Sequence, residues 1–252
     1  MKNFKTIIVF LVTLLLALNN ASSADFITLA DKAFQGYDNK TAMKLYKKAL
    51  KDKPSNFTIK RKLIEVTINV GEDLDNEQSE EYFKEAISMA KVMVDNDPDR
   101  AWPYYLVGLS SARLASSKSG KEKVRLSRGI EENAKKAIKI NPKFYRAYIL
   151  LGGYYREIAN LNLFLKAFAN VFFGGLPDGT NEKSVSTLIK SLEIGSGLRT
   201  SIFFELGKTY EAMGNRIKAI EYFQKTVNST KSDHLDDERK KVATERLTKL
   251  KQ

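Results

Sequence analysis

The chain has no cysteine, one histidine, one tryptophan and five prolines in 252 residues. Without cysteine there is no disulfide, no thiolate metal site and no lipid attached through a thioether, so stability must come from packing alone. The lone histidine, His234, stands among Asp233, Asp236 and Asp237 in a stretch expected at the surface. Neither a Ser-His-Asp relay nor a multi-histidine metal centre can be assembled from it. Carboxylate pairs such as Asp73/Asp75 and Asp236/Asp237 have no apolar cleft to tune them as acid and base. Residues 174–180 are glycine-rich, but no lysine follows Gly179 and the stretch comes after a helical pattern, so a phosphate loop is excluded. No catalytic residue, cofactor or metal is expected, and the chain is read as a non-enzyme.

What is present is a period. Residues 98–108 (PDRAWPYYLVG) and 142–152 (PKFYRAYILLG) align without a gap, each with Pro, then Tyr six residues on, then Gly after four more. The same step back from Pro98 reaches Pro54, so three of the five prolines mark one interval. Leu206, Gly207, Tyr210, Gly214, Ala219 and Phe223 stand at the spacings of a two-helix repeat, and Tyr148, Leu151, Gly152 and Tyr155 repeat its first half. Ala42, Tyr46, Ala49 and Pro54 repeat its second. At about 100° per residue the Tyr/Leu/Gly/Tyr set forms one stripe, and the small residue admits a partner helix closely. This pattern resembles the tetratricopeptide repeat. The resemblance implies an all-α, right-handed superhelix of about five antiparallel helix pairs, closed by a capping helix over residues 233–251, and a role in binding.

Residues 1–24 read differently from the rest. Lys2 and Lys5 precede an apolar run at 7–18, and Ser22-Ser23-Ala24 offers small residues for cleavage, as in a secretory signal peptide. The run is well short of the roughly 20 residues that span a bilayer. The expected mature domain is 25–252, exported to the periplasm or secreted, and soluble. Cleavage would remove two lysines and no acid, leaving forty basic against thirty acidic residues. Because the basic residues alternate with acids along amphipathic helices, the charge describes a solvated surface with weak attraction to anionic membranes, and nucleic acid is not an expected partner. Within 25–252 the sequence shows no domain boundary. The acidic stretch 71–81 is expected to be the turn inside the second pair, and the serine-rich segment 116–120 the turn inside the third.

The fourth repeat departs from the pattern. Between residues 158 and 180 it carries an insert containing Leu161, Phe164, Leu165, Phe168, Val171, Phe172, Phe173 and Leu176, an apolar stripe wider than one neighbouring helix would cover. Three readings follow: a long helix tucked inside the array, the lining of an apolar ligand cavity, or a surface buried by a partner chain, a membrane or another copy. The sequence FFGGLPDGTNEKS at 172–184, after YREIA at 155–159, is similar to secreted bacterial tetratricopeptide proteins associated with TRAP-type uptake, and to regulators of microtubule dynamics. The first of these resemblances implies a solute-binding protein as partner.

Stacked pairs of this kind expose the first helix of each repeat on a concave side. The residues expected there are Trp102, Tyr105, Leu109 and Arg113 in the third pair, Arg146, Ile149 and Arg156 in the fourth, and Phe204 and Lys208 in the fifth. Arginine forks bind carboxylates and large aromatics supply contact area at small entropic cost, so the groove suits a protein or peptide partner. Arg146 and Arg156 are expected to be the exposed cations. The competing expectation is a carrier that encloses an apolar small molecule against the insert.

Overall fold

The computed structural model describes residues 22–74, 76–175, 179–195 and 197–252, with backbone alone at 76, 120 and 173. Every regular element among them is an α-helix: α1 (Ser23–Gln35), α2 (Asn39–Asp52), α3 (Phe57–Glu72), α4 (Asn76–Asn96), α5 (Ala101–Ser116), α6 (Gly120–Ile140), α7 (Tyr145–Ala159), α8 (Leu163–Phe173), α9 (Asn181–Ile194), α10 (Arg199–Ala212), α11 (Arg216–Asn228) and α12 (Asp236–Lys251). Side-chain caps fix several of their starts. The Thr41 amide donates to the Asp38 carboxylate at 3.1 Å, Leu165 to Asn162 at 2.9 Å and Lys183 to Thr180 at 3.1 Å. Each satisfies an amide that the first turn would otherwise leave without a partner. Pro54, Pro98 and Pro142 lie in the turns after α2, α4 and α6, where the missing N–H and fixed φ stop a helix from continuing.

The helices group into two compact units, residues 1–70 and 71–252, with the division inside α3. Such a division is not visible in the sequence, because the hydrophobic period runs through it. In the first unit α1 and α2 form an antiparallel hairpin around the fully buried Ala30, Ala42, Tyr46 and Ala49. The Tyr46 hydroxyl donates to Asp31 at 2.5 Å, and Lys62 of α3 pairs with the same carboxylate at 2.6 Å. The signal peptide expected over 1–24 lies largely outside the described residues. Ser22 caps α1 in a capping box with Asp25, and the buried Ser23 hydroxyl donates to the Ala49 carbonyl at 3.2 Å.

In the second unit α5 pairs with α6, α7 with α9 and α10 with α11, while α4, α12 and the intervening contacts link the pairs in sequence order. The glycines of the repeat set the approach distances. A Cβ at Gly152 would stand 2.6 Å from Leu188 Cγ on α9, and one at Gly207 would stand 2.7 Å from the Phe223 ring on α11. Both partners are fully buried, so these helices meet at backbone distance. The turn inside the second pair is shorter than the acidic stretch suggested, since α3 runs on to Glu72 and α4 begins at Asn76. Buried clusters follow one another along the unit, among them those centred on Tyr154 and Ile158, on Leu188 and Ile202, and on Ala219 and Phe223.

Candidate functional site

Helices α5, α7 and α10 are the first members of their pairs and carry the residues expected on the inner face. At the start of α5, Trp102, Tyr105 and Phe144 form a three-ring cluster, with centroids 5.6, 4.9 and 5.2 Å apart and each pair edge to face. Such contacts contribute about 0.5–1.5 kcal/mol per pair beyond the area they bury. Arg146 of α7 lies over this cluster, its guanidinium carbon 5.6 Å from the Trp102 ring and 5.9 Å from Tyr145. Tyr105 and Phe144 are buried, whereas Trp102 and Arg146 are half-buried and leave part of their surface to solvent. Leu109 is half-buried on the same helix, and Ile149 packs against the Leu188–Ile202 cluster. Phe204 packs against the Phe223 cluster while Lys208 sits 5.3 Å from its ring centre.

Deeper along the same helices the inner positions form ion pairs. Arg113 pairs with Glu72 at the end of α3, and Arg156 pairs with both Glu205 of α10 and Glu157. Lys208 stands 3.5 Å from Glu205, and Lys123 stands 3.5 Å from Glu157. Burial alone would raise the Glu205 pKa, but Lys208 and Arg156 outweigh it and hold the carboxyl down at about 2. Arg156 is only 7 % exposed, which corrects the expectation that it is an open cation. Its fork is already filled by carboxylates of this chain. Arg113 is engaged in the same way, so of the three inner arginines only Arg146 faces an aromatic surface.

The segment before α12 joins this network. Arg239 pairs with Asp233 at 2.8 Å and Asp236 at 2.7 Å, and the Asp236 carboxylate accepts from the Ser232 and Asp233 amides. The imidazole of His234 is buried, with Nε2 3.0 Å from Glu72 and Nδ1 3.5 Å from Asp233. The Glu72 contact is an ion pair without the alignment of a hydrogen bond. His234 is therefore not the surface residue that its acidic neighbours suggested. Burial alone would lower its pKa, but Glu72 and then Asp233 prevail and raise it above the ordinary histidine value. Burial would likewise raise the pKa of Glu72, and Arg113 and His234 reverse that. Glu72 and Glu205 were missed in the sequence because their partners lie far off in the chain, 41 positions for Arg113 and Glu72 and 49 for Arg156 and Glu205, and His234 was placed at the surface because Glu72 reaches it from another helix.

The fourth-repeat insert is a separate short helix rather than a continuation of α7. Helix α7 ends at Ala159, Asn162 caps α8, and Gly174 closes it in the left-handed region at φ 69°. Leu165 and Ala169 are buried against Val124 of α6, with Leu161 and Phe168 packed at the edge. Phe164, Val171 and Phe172 point to solvent instead of into the array's interior, which replaces the tucked-in reading. The Phe173 side chain and Leu176 lie outside the described residues. Among the described residues no group of three or more His, Cys, Asp or Glu is placed to hold a metal ion, and no helix is long and apolar enough to cross a membrane.

Comparison with known proteins agrees with this geometry. A family model described as regulator of microtubule dynamics protein 1-3 matches residues 26–251. Regulator of microtubule dynamics protein 3 of Xenopus laevis is 19 % identical over 150 residues, which cover 60 % of this chain and 32 % of that protein. The chain thus matches about a third of that relative's length. Among solved structures, a thermophilic tetratricopeptide protein of Thermus thermophilus superposes with a TM-score of 0.67 at 16 % identity, over 88 % of this chain and 99 % of the other. A chain of the Cut9–Hcn1 hetero-tetramer of the APC/C gives 0.55 at 17 % identity, over 90 % of this chain and 36 % of that one. These likenesses show the tetratricopeptide-like fold.

Proposed function

The chain belongs to the regulator of microtubule dynamics protein 1-3 family, and from that premise we propose that it is a non-enzymatic scaffold that seats a partner polypeptide on the Trp102–Arg146 surface. Tetratricopeptide-like folds typically mediate protein–protein interaction. The observation that carries the reading is the half-buried Trp102 with Arg146 across its face, the residue types that dominate binding energy where a partner excludes water. Arg113 and Arg156 shape the floor of this side instead of contacting the guest, since their charges are spent on Glu72 and Glu205.

The test is to pan a random peptide library on the full chain and titrate enriched peptides against the intrinsic fluorescence of Trp102, the only tryptophan. Binding should change Trp102 emission and fall about tenfold or more in Arg146→Glu, in line with a central contact. Peptides that bind Arg146→Glu as tightly as the parent would sink the proposal. Native mass spectrometry of the same sample separates the carrier reading, because a stoichiometric apolar passenger would favour it over a polypeptide guest.

The exported location belongs to this proposal, supported by Lys2, Lys5, the apolar run at 7–18 and the small residues at 22–24. Intact mass of the chain from its natural source should start at Asp25. A solute-binding protein is the first partner to try, as the GGLP sequence at 174–177 suggests, and purified candidates should compete with the enriched peptides for Trp102.

A further inference from the structure

Helix α8 reverses the usual arrangement of a surface helix. At about 100° per residue, Leu165 and Ala169 lie on one stripe and face α6, whereas Leu163, Phe164, Ala167 and Val171 lie on the opposite stripe and face out. A helix on the outside of a soluble array normally turns polar residues outward. Here Leu163 is 84 % exposed, Phe164 67 %, Val171 76 % and Phe172 65 %. With roughly 150–250 Å² per aromatic side chain, the four together leave on the order of 500 Å² of exposed apolar surface, a size at which patches on monomers are often functional. The helix contains no acid, and its one lysine, Lys166, turns back to donate to the Ala159 carbonyl at 3.0 Å.

The rim of the patch is cationic. Lys121, in the first turn of α6, holds its ammonium 4.9 Å from the Phe168 ring centre and 5.8 Å from that of Phe172. Arg125, one turn on, is 65 % exposed and only loosely paired with Glu122 at 3.9 Å. Lys121 and Arg125 have one acid, Glu122, between them, while Lys123 pairs with Glu157, in a chain of net charge +12. A second copy would bring the same positive rim against this one and would be repelled. An exposed apolar ridge bordered by cations is complementary to a surface that is apolar beneath and anionic above.

We propose that α8 is a membrane-docking helix that lies in the headgroup boundary of an anionic bilayer, with Leu163, Phe164, Val171 and Phe172 among the upper acyl chains and Lys121 and Arg125 at the phosphates. An interfacial helix ordinarily carries its own polar face. In this protein α6 replaces that face, which is why the outward side of α8 is free to be apolar. The surface is distinct from the Trp102–Arg146 site, and neither reading depends on the other.

The experiment uses the full chain carrying Phe172→Trp in a Trp102→Phe background. It is mixed with vesicles of phosphatidylcholine alone, or with roughly 30 % phosphatidylglycerol at about 0.1 M salt. The introduced indole should shift to the blue on anionic vesicles and be quenched by lipids brominated in the upper acyl chain. Because residues 7–18 can themselves bind lipid, partitioning is compared among variants that all retain them. Phe164→Ser with Val171→Ser should partition about tenfold more weakly or worse, as should Lys121→Glu with Arg125→Glu. The Phe164 and Val171 side chains are mostly exposed, so their loss leaves folding intact, as circular dichroism would verify. An unquenched indole, or a serine variant that binds like its parent, overturns the proposal. A concentration-dependent dimer that the serine variant abolishes, with the indole unquenched, would assign the patch to a second copy instead.

Discussion

Replacing Glu205 by glutamine tests whether the inner face is held by charge or by shape. Glutamine keeps the volume and one acceptor oxygen but leaves Arg156 buried with its principal counter-charge gone. Two independent magnitudes apply. The Glu205 pKa is held near 2 against an ordinary 4.5, and at about 1.4 kcal/mol per unit this corresponds to about 3 kcal/mol of folding free energy at neutral pH. Breaking a buried ion pair from one side costs about 3–5 kcal/mol. With a urea slope near 2 kcal/mol per molar, Glu205→Gln should lower the unfolding midpoint by about 1.5 M. Trp102 fluorescence follows the transition, because Trp102 lies in the same compact unit as Arg156 and Glu205. The sign of the pH dependence is fixed: a depressed carboxyl pKa stabilises above the unfolded value of 4.5, and that stability is lost as pH falls toward 2. The parent and Glu205→Gln curves should therefore converge on acidification. Arg156→Met combined with Glu205→Met removes both charges together and should cost less than Glu205→Gln alone. A glutamine variant within about 0.5 kcal/mol of the parent, or a double variant no more stable than the single, would refute the reasoning.

Gly207→Ala gains up to about 1 kcal/mol of helix propensity, yet its methyl would stand 2.7 Å from the fully buried Phe223 ring, and overpacking costs about 1–3 kcal/mol. Net destabilisation is expected in urea titration, and a stabilised variant would show that α10 and α11 can move apart. The raised pKa of His234 gives stability that is fully present below 6.5 and is lost as pH rises through the folded value. The parent midpoint should therefore fall on going from pH 6 toward alkaline pH, and His234→Gln should flatten that slope. Equal slopes would remove His234 from the network.

The repeat was legible because its marks are local. Pro54, Pro98 and Pro142 end helices by their own covalent geometry, and Gly152 and Gly207 follow a spacing that a helix converts directly into one face. The insert was legible as an anomaly, since α8 carries more apolar residues than one neighbour needs, but its direction was not. Which stripe turned inward depended on Val124 of α6 taking up Leu165 and Ala169. Trp102 and Arg146 could be read as neighbours, because the repeat places them at corresponding positions of successive first helices. Arg156 was expected to be open because it lies beside those groove positions, and the structure closes it with Glu205, a residue that no local pattern marks.

The sequence by itself determined the helix-pair architecture, the proline-marked turns, the close helix contacts at glycine and the lack of thiol or multi-histidine chemistry. All of these follow from backbone preferences and from a period that one helix face can read. The tertiary structure decided which charges are paired within the chain, that His234 is buried between carboxylates, and that α8 turns Phe164 and Phe172 outward. The buried ion pairs depend on partners 41 to 49 positions away, His234 on Glu72 from another helix and α8 on the side chains of α6, and distance in sequence carries no record of such pairings until the packing brings them together.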